Sequence, residues 1–476
     1  SWSPSRACSE PLAPHRVADL LMVGGRVVDV DQRVPQLPPF RARSAPWFHN
    51  GGARIAVPPA WVEGTAPDGG DLPLRRRFSA LAVVLAVVLA VAGCTMPGRR
   101  QGPSRPPSLG VSGAPTTTAG TPRATLARPG AGSTRGLPGM PAVPDPGDVY
   151  AAARPGRLSP VVRGFPARVY VPDSRDDTVD VLDPRTFRRL ARFRVGRQPQ
   201  HVTPSWDLRT LWVGNNQGNS LTAIDPATGR RGRTVPVADP YNLYFTPDGR
   251  RAIVVAERLR RLDFRDPHTM RLRHSLPVPC FGVNHLDFSA DGRSLLASCE
   301  FSGHLVWVDV AAERVTGLLR LRAGAMPQDV KLAPDGGVYY VADMGSGGVW
   351  IIDAARPRVL GFLPTGRGAH GLYVSRDDRY LYVSNRGEGS ISLVSFATRK
   401  VVATWRIPGG GSPDMGGISA DGGVLWLTGR YHGEVYALDT GSGRLLARIP
   451  VGQGPHGLCV YPQPGRYSLG HTGVLR

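Results

Sequence analysis

The residues with the greatest capacity for chemistry are histidines, acidic residues and amides that recur at two adjacent positions of a repeating pattern. Occupants of the first position are Gln200, Tyr241, Asn284, Gln328, His370, Asp414 and His456. Occupants of the second position are His201, Asn242, His285, Asp329, Gly371, Met415 and Gly457. Imidazole and carboxylate groups can hold a polar ligand or a divalent metal ion. Their chemistry therefore depends on the elements that position them.

Those elements are short strands in an internal repeat. A turn recurs every 41 to 44 residues, at Phe165, Asp207, Asp248, Asp291, Asp335, Asp377 and Asp421. A later turn recurs with the same gaps, at Asp183, Asp225, Asp266, Asp309, Asp353, Ser395 and Asp439. Two series in step indicate a true repeat. One copy contains four apolar or alternating segments, Gly371–Val374, Tyr380–Ser384, Ile391–Val394 and Val401–Ile407, which are typical of strands.

Seven repeats of four strands predict an all-β protein, a seven-bladed β-propeller with four-stranded blades. One twisted blade cannot cover both of its faces, whereas a ring of blades buries them and leaves only short edges. The segment Pro455–Pro462 copies the first strand of the repeat, and Arg168–Val171 copies the second. We therefore expect terminal strands to pair in one blade and close the ring, so that removing residues 452–462 opens it.

Several second strands carry a common motif, "LYVSN" at 381–385, "LWVGN" at 211–215, "VYVPD" at 169–173 and "YYVAD" at 339–343. These strands, with the "VGxxPHG" connector at 451–457, resemble the YVTN-type repeat of the YncE-like β-propellers of bacteria and archaea. The resemblance covers residues 165–462, although "LLASC" and "AIVVA" depart from the motif. It implies the propeller fold, and similar propellers include lactonase-like enzymes.

The first 150 residues do not read as a folded domain. Three arginines at 75–77 precede an apolar run that ends in Val91-Ala92-Gly93-Cys94, which resembles a bacterial lipobox with lipidation at Cys94. We predict a disordered, non-native upstream extension at 1–61, a lipoprotein signal peptide at 62–94, a tether rich in Pro, Gly, Ser and Thr at 95–150 and the propeller at 151–476. The expected location is the outer face of the cytoplasmic membrane of a bacterium, with Sec and Tat export both open.

Binding is expected on the face formed by the blade-to-blade connectors and the second-to-third strand loops, called the loop face below. The candidate ligand or partner residues are His201, His285, Glu300, His304, Asp329, His370, Asn385, Arg386, Asp414, Arg430, His432 and His456. We expect no cofactor and no metal, with a divalent ion at the channel mouth as the alternative, because a wide ring lets one ion meet only two or three residues. Cys280 and Cys299 flank one hairpin, where a disulfide and two free thiols are both open.

Three functions are compatible with these features. The first is a membrane-anchored, monomeric binding or scaffold module, for which the partner is an unknown protein or small molecule. The second is a lactonase-like or metal-assisted hydrolase using His285, Glu300, His370, Asp414 or His456, although no short nucleophile or metalloprotease motif is present. The third is a binder of acidic polymers or nucleic acid, since the formal net charge is +21. The excess is diffuse, which weighs against the third function, whereas the predicted anchor and tether and the lack of a catalytic motif favour the first.

Overall fold

The computed structural model describes residues 136–476, apart from the side chain of Thr472, together with the backbone of the two-residue strands Met22–Val23 and Arg26–Val27. Those two strands pair as an antiparallel hairpin within a unit that comprises residues 1–51. The predicted signal peptide, its Cys94 and most of the predicted tether lie outside the described residues. Among the described residues, no helix is long and apolar enough to cross a membrane.

The described part of the second unit is a ring of seven antiparallel sheets, numbered blades 1 to 7 along the chain. From the innermost strand outward, blade 1 contains Cys459–Tyr461, Arg168–Asp173, Thr178–Leu182 and Arg189–Arg194, and blade 2 contains Pro199–Pro204, Leu211–Asn215, Ser220–Asp225 and Arg230–Pro236. In the same order, blade 3 contains Asn242–Phe245, Ala252–Ala256, Arg261–Arg265 and Leu272–Pro277. Blade 4 contains Val283–Phe288, Ser294–Cys299, His304–Asp309 and Arg314–Arg320. The predicted all-β seven-bladed propeller is therefore confirmed.

Blades 5 to 7 follow the same order. Blade 5 contains Pro327–Leu332, Val338–Asp343, Gly348–Asp353 and Val359–Pro364. Blade 6 contains Ala369–Val374, Tyr380–Asn385, Ser390–Ser395 and Lys400–Arg406. Blade 7 contains Pro413–Ile418, Val424–Gly429, Glu434–Asp439 and Leu445–Pro450. Two further strands, Ser468–Gly470 and Val474–Leu475, extend blade 3 on its inner edge. Three short 3-10 helices cover Ala151–Ala153, Glu300–Ser302 and His471–Gly473.

Ring closure follows the predicted scheme. The strand Cys459–Tyr461 pairs antiparallel with Arg168–Asp173, with Arg168 opposite Tyr461 and Tyr170 opposite Cys459. Blade 1 thus takes its innermost strand from the far end of the ring and its other three strands from the near end. Because backbone hydrogen bonds join the two ends, no blade edge is left open at the junction.

The blades hold together through hydrophobic interfaces. Seven clusters of buried apolar side chains each join two neighbouring blades, and together they pass once around the ring. The inner strands are buried along their length, as in Val338–Asp343, while outermost strands such as Arg189–Arg194 are mostly exposed. This gradient follows from the geometry, since an inner strand has blades on both faces and an outer strand borders water.

The face opposite the loop face carries the turns between first and second strands and between third and fourth strands, and is called the turn face. Residues 136–165 cross it: the Leu137 amide donates to the carbonyl of Asp291, and the Val149 amide donates to that of Pro334. Leu137 is buried among side chains of blades 3 and 4. Residues 136–150, which the sequence analysis places in the tether, therefore belong to the folded unit.

Residues 463–476 form a feature that the repeat does not predict. After the closing strand, this segment folds into a hairpin of Ser468–Gly470 and Val474–Leu475. Gly470 pairs with Tyr244 on the innermost strand of blade 3, and Arg476 pairs with Asp287 at 3.3 Å near the turn face. The hairpin therefore enters the central channel from the turn face, and we call it the channel hairpin. Its tip carries His471, which is 1% exposed.

Candidate functional site

The innermost strands bulge where the chemistry-bearing residues lie. The ladder between first and second strands skips two residues in five blades, at 200–201, 284–285, 328–329, 370–371 and 414–415. A bulge frees residues from strand pairing and redirects their side chains. The two positions that the repeat alignment selects are therefore the points where the blades leave regular pairing around the channel.

Five histidines meet inside the channel, His201, His285, His370, His456 and His471. Ring centroids of His201 and His456 are 4.8 Å apart, and those of His285 and His471 are 4.7 Å apart. His201 and His285 lie 5.5 Å from each other, and His370 lies 5.8 Å from His456. Each is at most 2% exposed. The channel centre is thus a compact imidazole cluster, called the histidine cluster below.

Backbone and amide oxygens orient two of these rings. Nδ1 of His201 donates to the carbonyl of Tyr241 at 2.8 Å, and Nδ1 of His285 donates to Oδ1 of Asn284 at 3.0 Å. The Asn284 oxygen also accepts from Ser298, which fixes the amide orientation. Since Nδ1 carries the proton in both rings, Nε2 of each ring carries a lone pair. Both Nε2 atoms are buried, and neither has a hydrogen-bond partner within the part of the chain that the structure describes.

A buried carboxylate organises the opposite side of the cluster. Asp414 lies 2.8 Å from Nδ1 of His456 and 3.1 Å from Nδ1 of His370. Arg386 pairs with it at 3.1 Å, and Arg430 lies 4.0 Å away while donating to the carbonyl of Gly454. Asp414 is completely buried, so these cations compensate its charge. The arrangement holds the two imidazoles in fixed orientations.

His471 is positioned by residues of blades 3 and 5. Its Nδ1 lies 3.2 Å from Nδ2 of Asn242, and its Nε2 lies 3.2 Å from Oδ1 of Asp329 without forming a hydrogen bond. Burial alone would raise the pKa of Asp329, but the Lys331 ammonium lowers it below its usual value. Asp329 is therefore a carboxylate, which also accepts the amide of Leu372.

The histidines of the cluster are neutral. Burial lowers the pKa of His201 to about 3. Burial likewise lowers the pKa of His285, His370, His456 and His471. Neutral imidazole is the form that binds metal ions, and a charged ring would not. The cluster can therefore hold a metal ion, and one ring nitrogen from each of His201, His285 and His471 lies within 4.8 Å of the other two.

Of the twelve candidate residues, the structure gathers His201, His285, Asp329, His370, Asp414 and His456 in the channel, with Arg386 and Arg430 against Asp414. Glu300 is adjacent, because one of its carboxylate oxygens accepts from Nδ2 of Asn284 at 3.0 Å. Burial raises the pKa of Glu300. The expectation that one ion meets at most two or three residues is compatible with this arrangement, since two histidines of the ring join a third from the channel hairpin.

Three candidates lie apart from this group. Asn385 is buried within blade 6, where its Nδ2 donates to Ser390 and Ser392, so it ties strands together. His304 begins the third strand of blade 4 opposite Arg320. His432 is exposed in a loop, and its Nδ1 contacts Oγ of Ser412 at 2.8 Å. These three side chains therefore do not reach the channel, although they occupy loop or strand-end positions of the repeat like the other candidates.

The loop face carries an apolar patch at blades 3 and 4. Phe281 and Phe301 are 54% and 48% exposed, and the Phe301 amide donates to the carbonyl of Phe281. Cys280 and Cys299 form a disulfide next to them, with Cα atoms 6.1 Å apart. The guanidinium of Arg260 stacks on the Phe281 ring at 4.0 Å. We call Phe281, Phe301, Arg260 and the exposed Leu259 the aromatic patch.

The sequence reasoning omitted His471, because it lies after the last repeat and has no equivalent position in any blade. It also omitted the aromatic patch, since Phe281 and Phe301 occupy connector and loop positions that other blades fill with unrelated residues. The available signals were the apolar alternation of 467–475, typical of a short hairpin, and two phenylalanines beside a cysteine pair.

Comparison with known proteins agrees with this architecture. The family model for YNCE-like beta-propellers matches residues 150–465. "Uncharacterized protein YncE" of Salmonella typhi is 22% identical over 264 residues, which is 52% of this chain and 73% of that protein. A functionally unknown protein from Desulfotomaculum acetoxidans has a similar structure, with a TM-score of 0.54 and 15% identity, over 62% of this chain and 98% of that chain. At this identity the structural likeness shows the fold alone.

Proposed function

Because the chain belongs to the YncE-like β-propeller family, we propose that its ring is a non-catalytic binding module that presents its loop face to a protein partner outside the cytoplasmic membrane. The five histidines are sealed between the blades and the channel hairpin, so a dissolved substrate does not reach them in this conformation. The accessible chemistry of the loop face is aromatic and cationic, which suits protein recognition better than catalysis.

The observation that carries this proposal is the aromatic patch. Large apolar side chains that remain exposed next to one another mark interaction sites on soluble proteins. Phe281 and Phe301 are held by backbone hydrogen bonds and by the Cys280–Cys299 disulfide, so little conformational freedom is lost when a partner covers them. The flanking Arg260 favours a partner whose apolar contact is bordered by acidic residues.

The test replaces both aromatic side chains, in a Phe281→Ser, Phe301→Ser variant. Burying two phenylalanines contributes roughly 3–6 kcal/mol, so we expect affinity for the partner to fall at least about a hundredfold. The measurement is cross-linking in native membranes followed by quantification of co-purified proteins. Leu318→Ser is the matched control, because Leu318 is 44% exposed on the outer strand of the same blade. Equal recovery with the double variant and with wild type would refute the patch as the binding site.

We also propose that the ring is attached to the membrane by a lipid on Cys94, with the following residues as its tether. This proposal rests on the basic and apolar residues before Val91-Ala92-Gly93-Cys94. Cys94→Ala is expected to abolish lipid labelling and to move the protein from the membrane fraction to the released fraction. Metabolic labelling with a fatty acid measures the first effect, and Cys8→Ala is the control that should label normally. Persistent labelling of Cys94→Ala would eliminate the lipid anchor.

A further inference from the structure

The structure assigns a second site to this chain, and we propose that His201, His285 and His471 bind one divalent transition-metal ion in the centre of the channel. One ring nitrogen of each residue lies within 4.8 Å of the others. Bonds of about 2.0–2.1 Å to imidazole nitrogen place the ligand nitrogens of one ion within about 4.2 Å of one another, so any pair at the outer limit of this spacing would move several tenths of an ångström closer as the ion binds. The site is independent of the aromatic patch and of the proposed binding function.

The histidine cluster contains buried hydrogen-bond acceptors that are unpaired among the described residues. Nε2 of His201 and Nε2 of His285 are both lone-pair bearing, fully buried and without a hydrogen-bond partner among the described residues. Leaving a buried acceptor unpaired carries its whole desolvation penalty, which is why such atoms are rare in folded proteins. A metal ion placed between the rings would satisfy both atoms at once.

The residues around the three rings resemble the outer shell of a metal site. Histidine ligands almost always have their other nitrogen bound to a carbonyl or a carboxylate, which fixes the tautomer and the ring orientation. His201 has the Tyr241 carbonyl in this role, and His285 has Oδ1 of Asn284. His471 has Oδ1 of Asp329 at 3.2 Å from its Nε2. Two of the three rings are therefore held by such a partner, and the Asp329 carboxylate lies close to the third without forming a hydrogen bond among the described residues.

The type and charge of the ligands determine which ions the site would prefer. Three neutral imidazoles favour zinc, cobalt, nickel or copper over magnesium and calcium, which prefer oxygen ligands. The carboxylates of Asp329 and Asp414 are completely buried in the same channel and would compensate part of the ion's charge. A three-histidine set leaves a fourth position for water or another group, as in sites with three protein ligands.

The ligand set joins separate parts of the fold. His201 belongs to blade 2, His285 to blade 4 and His471 to the tip of the channel hairpin. An ion bound by all three would therefore fix the hairpin inside the channel. Since the site is fully buried, the ion is expected to enter before the hairpin docks, and exchange in the folded protein is expected to be slow.

The experiment uses the untagged full chain, produced in cells supplied with Zn²⁺ or with Co²⁺, and measures bound metal after gel filtration. Elemental analysis is expected to find close to one ion per chain. The Co²⁺ form is expected to show visible absorption typical of a nitrogen-rich site with four or five ligands. His471→Ala and His285→Gln are expected to lower the metal content at least tenfold, while His268→Ala, at an exposed turn, should retain it.

Circular dichroism and the melting temperature identify variants that remain folded, and only those variants are compared. Two ligand positions are tested, so failure of one variant to fold leaves the other. If neither folds, the wild-type metal content and the Co²⁺ spectrum decide the question. Folded wild-type protein with less than about a tenth of an ion per chain would overturn the proposal, as would a folded ligand variant that binds metal like wild type. Neither result would affect the aromatic patch, whose test is separate.

Discussion

A chain ending at Val451 is expected to lose the folded propeller, because blade 1 then lacks its innermost strand. The closing segment contributes Leu458, Cys459, Val460 and Tyr461 to the two hydrophobic clusters that flank blade 1. Burial of four such side chains contributes roughly 6–12 kcal/mol, which is comparable to the whole stability of an ordinary domain. Urea unfolding followed by circular dichroism, with gel filtration for compactness, measures the effect.

A chain ending at Pro462 is the matched control, since it keeps the closing strand and lacks only the channel hairpin. Removing the hairpin leaves Asp287 without Arg476. Breaking such a buried ion pair lowers the free energy of unfolding by about 3–5 kcal/mol. We expect this chain to remain folded with a lower melting temperature. If both shortened chains were equally unfolded, the hairpin and not strand closure would determine the integrity of the ring. A chain ending at Val451 that melts within a few degrees of wild type would contradict the closure argument.

The fold could be predicted from the sequence alone, because each repeat encodes its own part of the structure. Each blade carries its own turn residues and its own alternating strands, so two marker series define the number of blades and the strand order. The strand copies at Arg168–Val171 and Pro455–Pro462 also reveal the closure. Residues 463–476 and 136–165 were not predictable in the same way, because they pack against the ring without repeating any part of it.

The site was predictable in part for a similar reason. Aligning the repeats selects His201, His285, His370 and His456, four of the five histidines that meet in the channel, and the strands of the first three bulge at the same place. Their distances could not be obtained from spacing along the chain, because how closely the rings approach depends on the direction of each side chain. His471 comes from outside the repeat, and only the path of the channel hairpin brings it to the cluster.

Asp173, at the end of the second strand of blade 1, is expected to make the stability of the ring depend on pH. Its Oδ2 accepts from Thr178 at 2.9 Å, whereas its Oδ1 has no hydrogen-bond partner in residues 136–476, and the side chain is completely buried. Burial, with the nearby Asp180 carboxylate, raises the pKa of Asp173 to about 8. Below about pH 4 the Asp173 carboxyl is protonated in both the folded and the unfolded state. Its raised pKa therefore does not lower the free energy of unfolding at that pH.

As the pH rises from 4 to 8, the unfolded chain releases this proton while the folded protein keeps it. Stability therefore falls with increasing pH, by up to about 1.4 kcal/mol per pH unit, and the loss is complete above pH 8. The equivalent position is asparagine in blades 2 and 6, where Nδ2 of Asn215 and Nδ2 of Asn385 each donate to two hydroxyl groups. Asparagine is thus compatible with this place in a blade and has no proton to lose.

Asp173→Asn is accordingly expected to stabilise the protein by at least about 2 kcal/mol at pH 8 and to have little effect at pH 4. Urea unfolding at a series of pH values measures the difference in free energy between the variant and wild type. Asp343→Asn is the control, because Asp343 accepts from Met326, Ser346 and Trp350 and needs all of its acceptor capacity. That variant should destabilise the protein at neutral pH. A stabilisation by Asp173→Asn that does not change with pH would show that repulsion and burial of this carboxyl are not the cause.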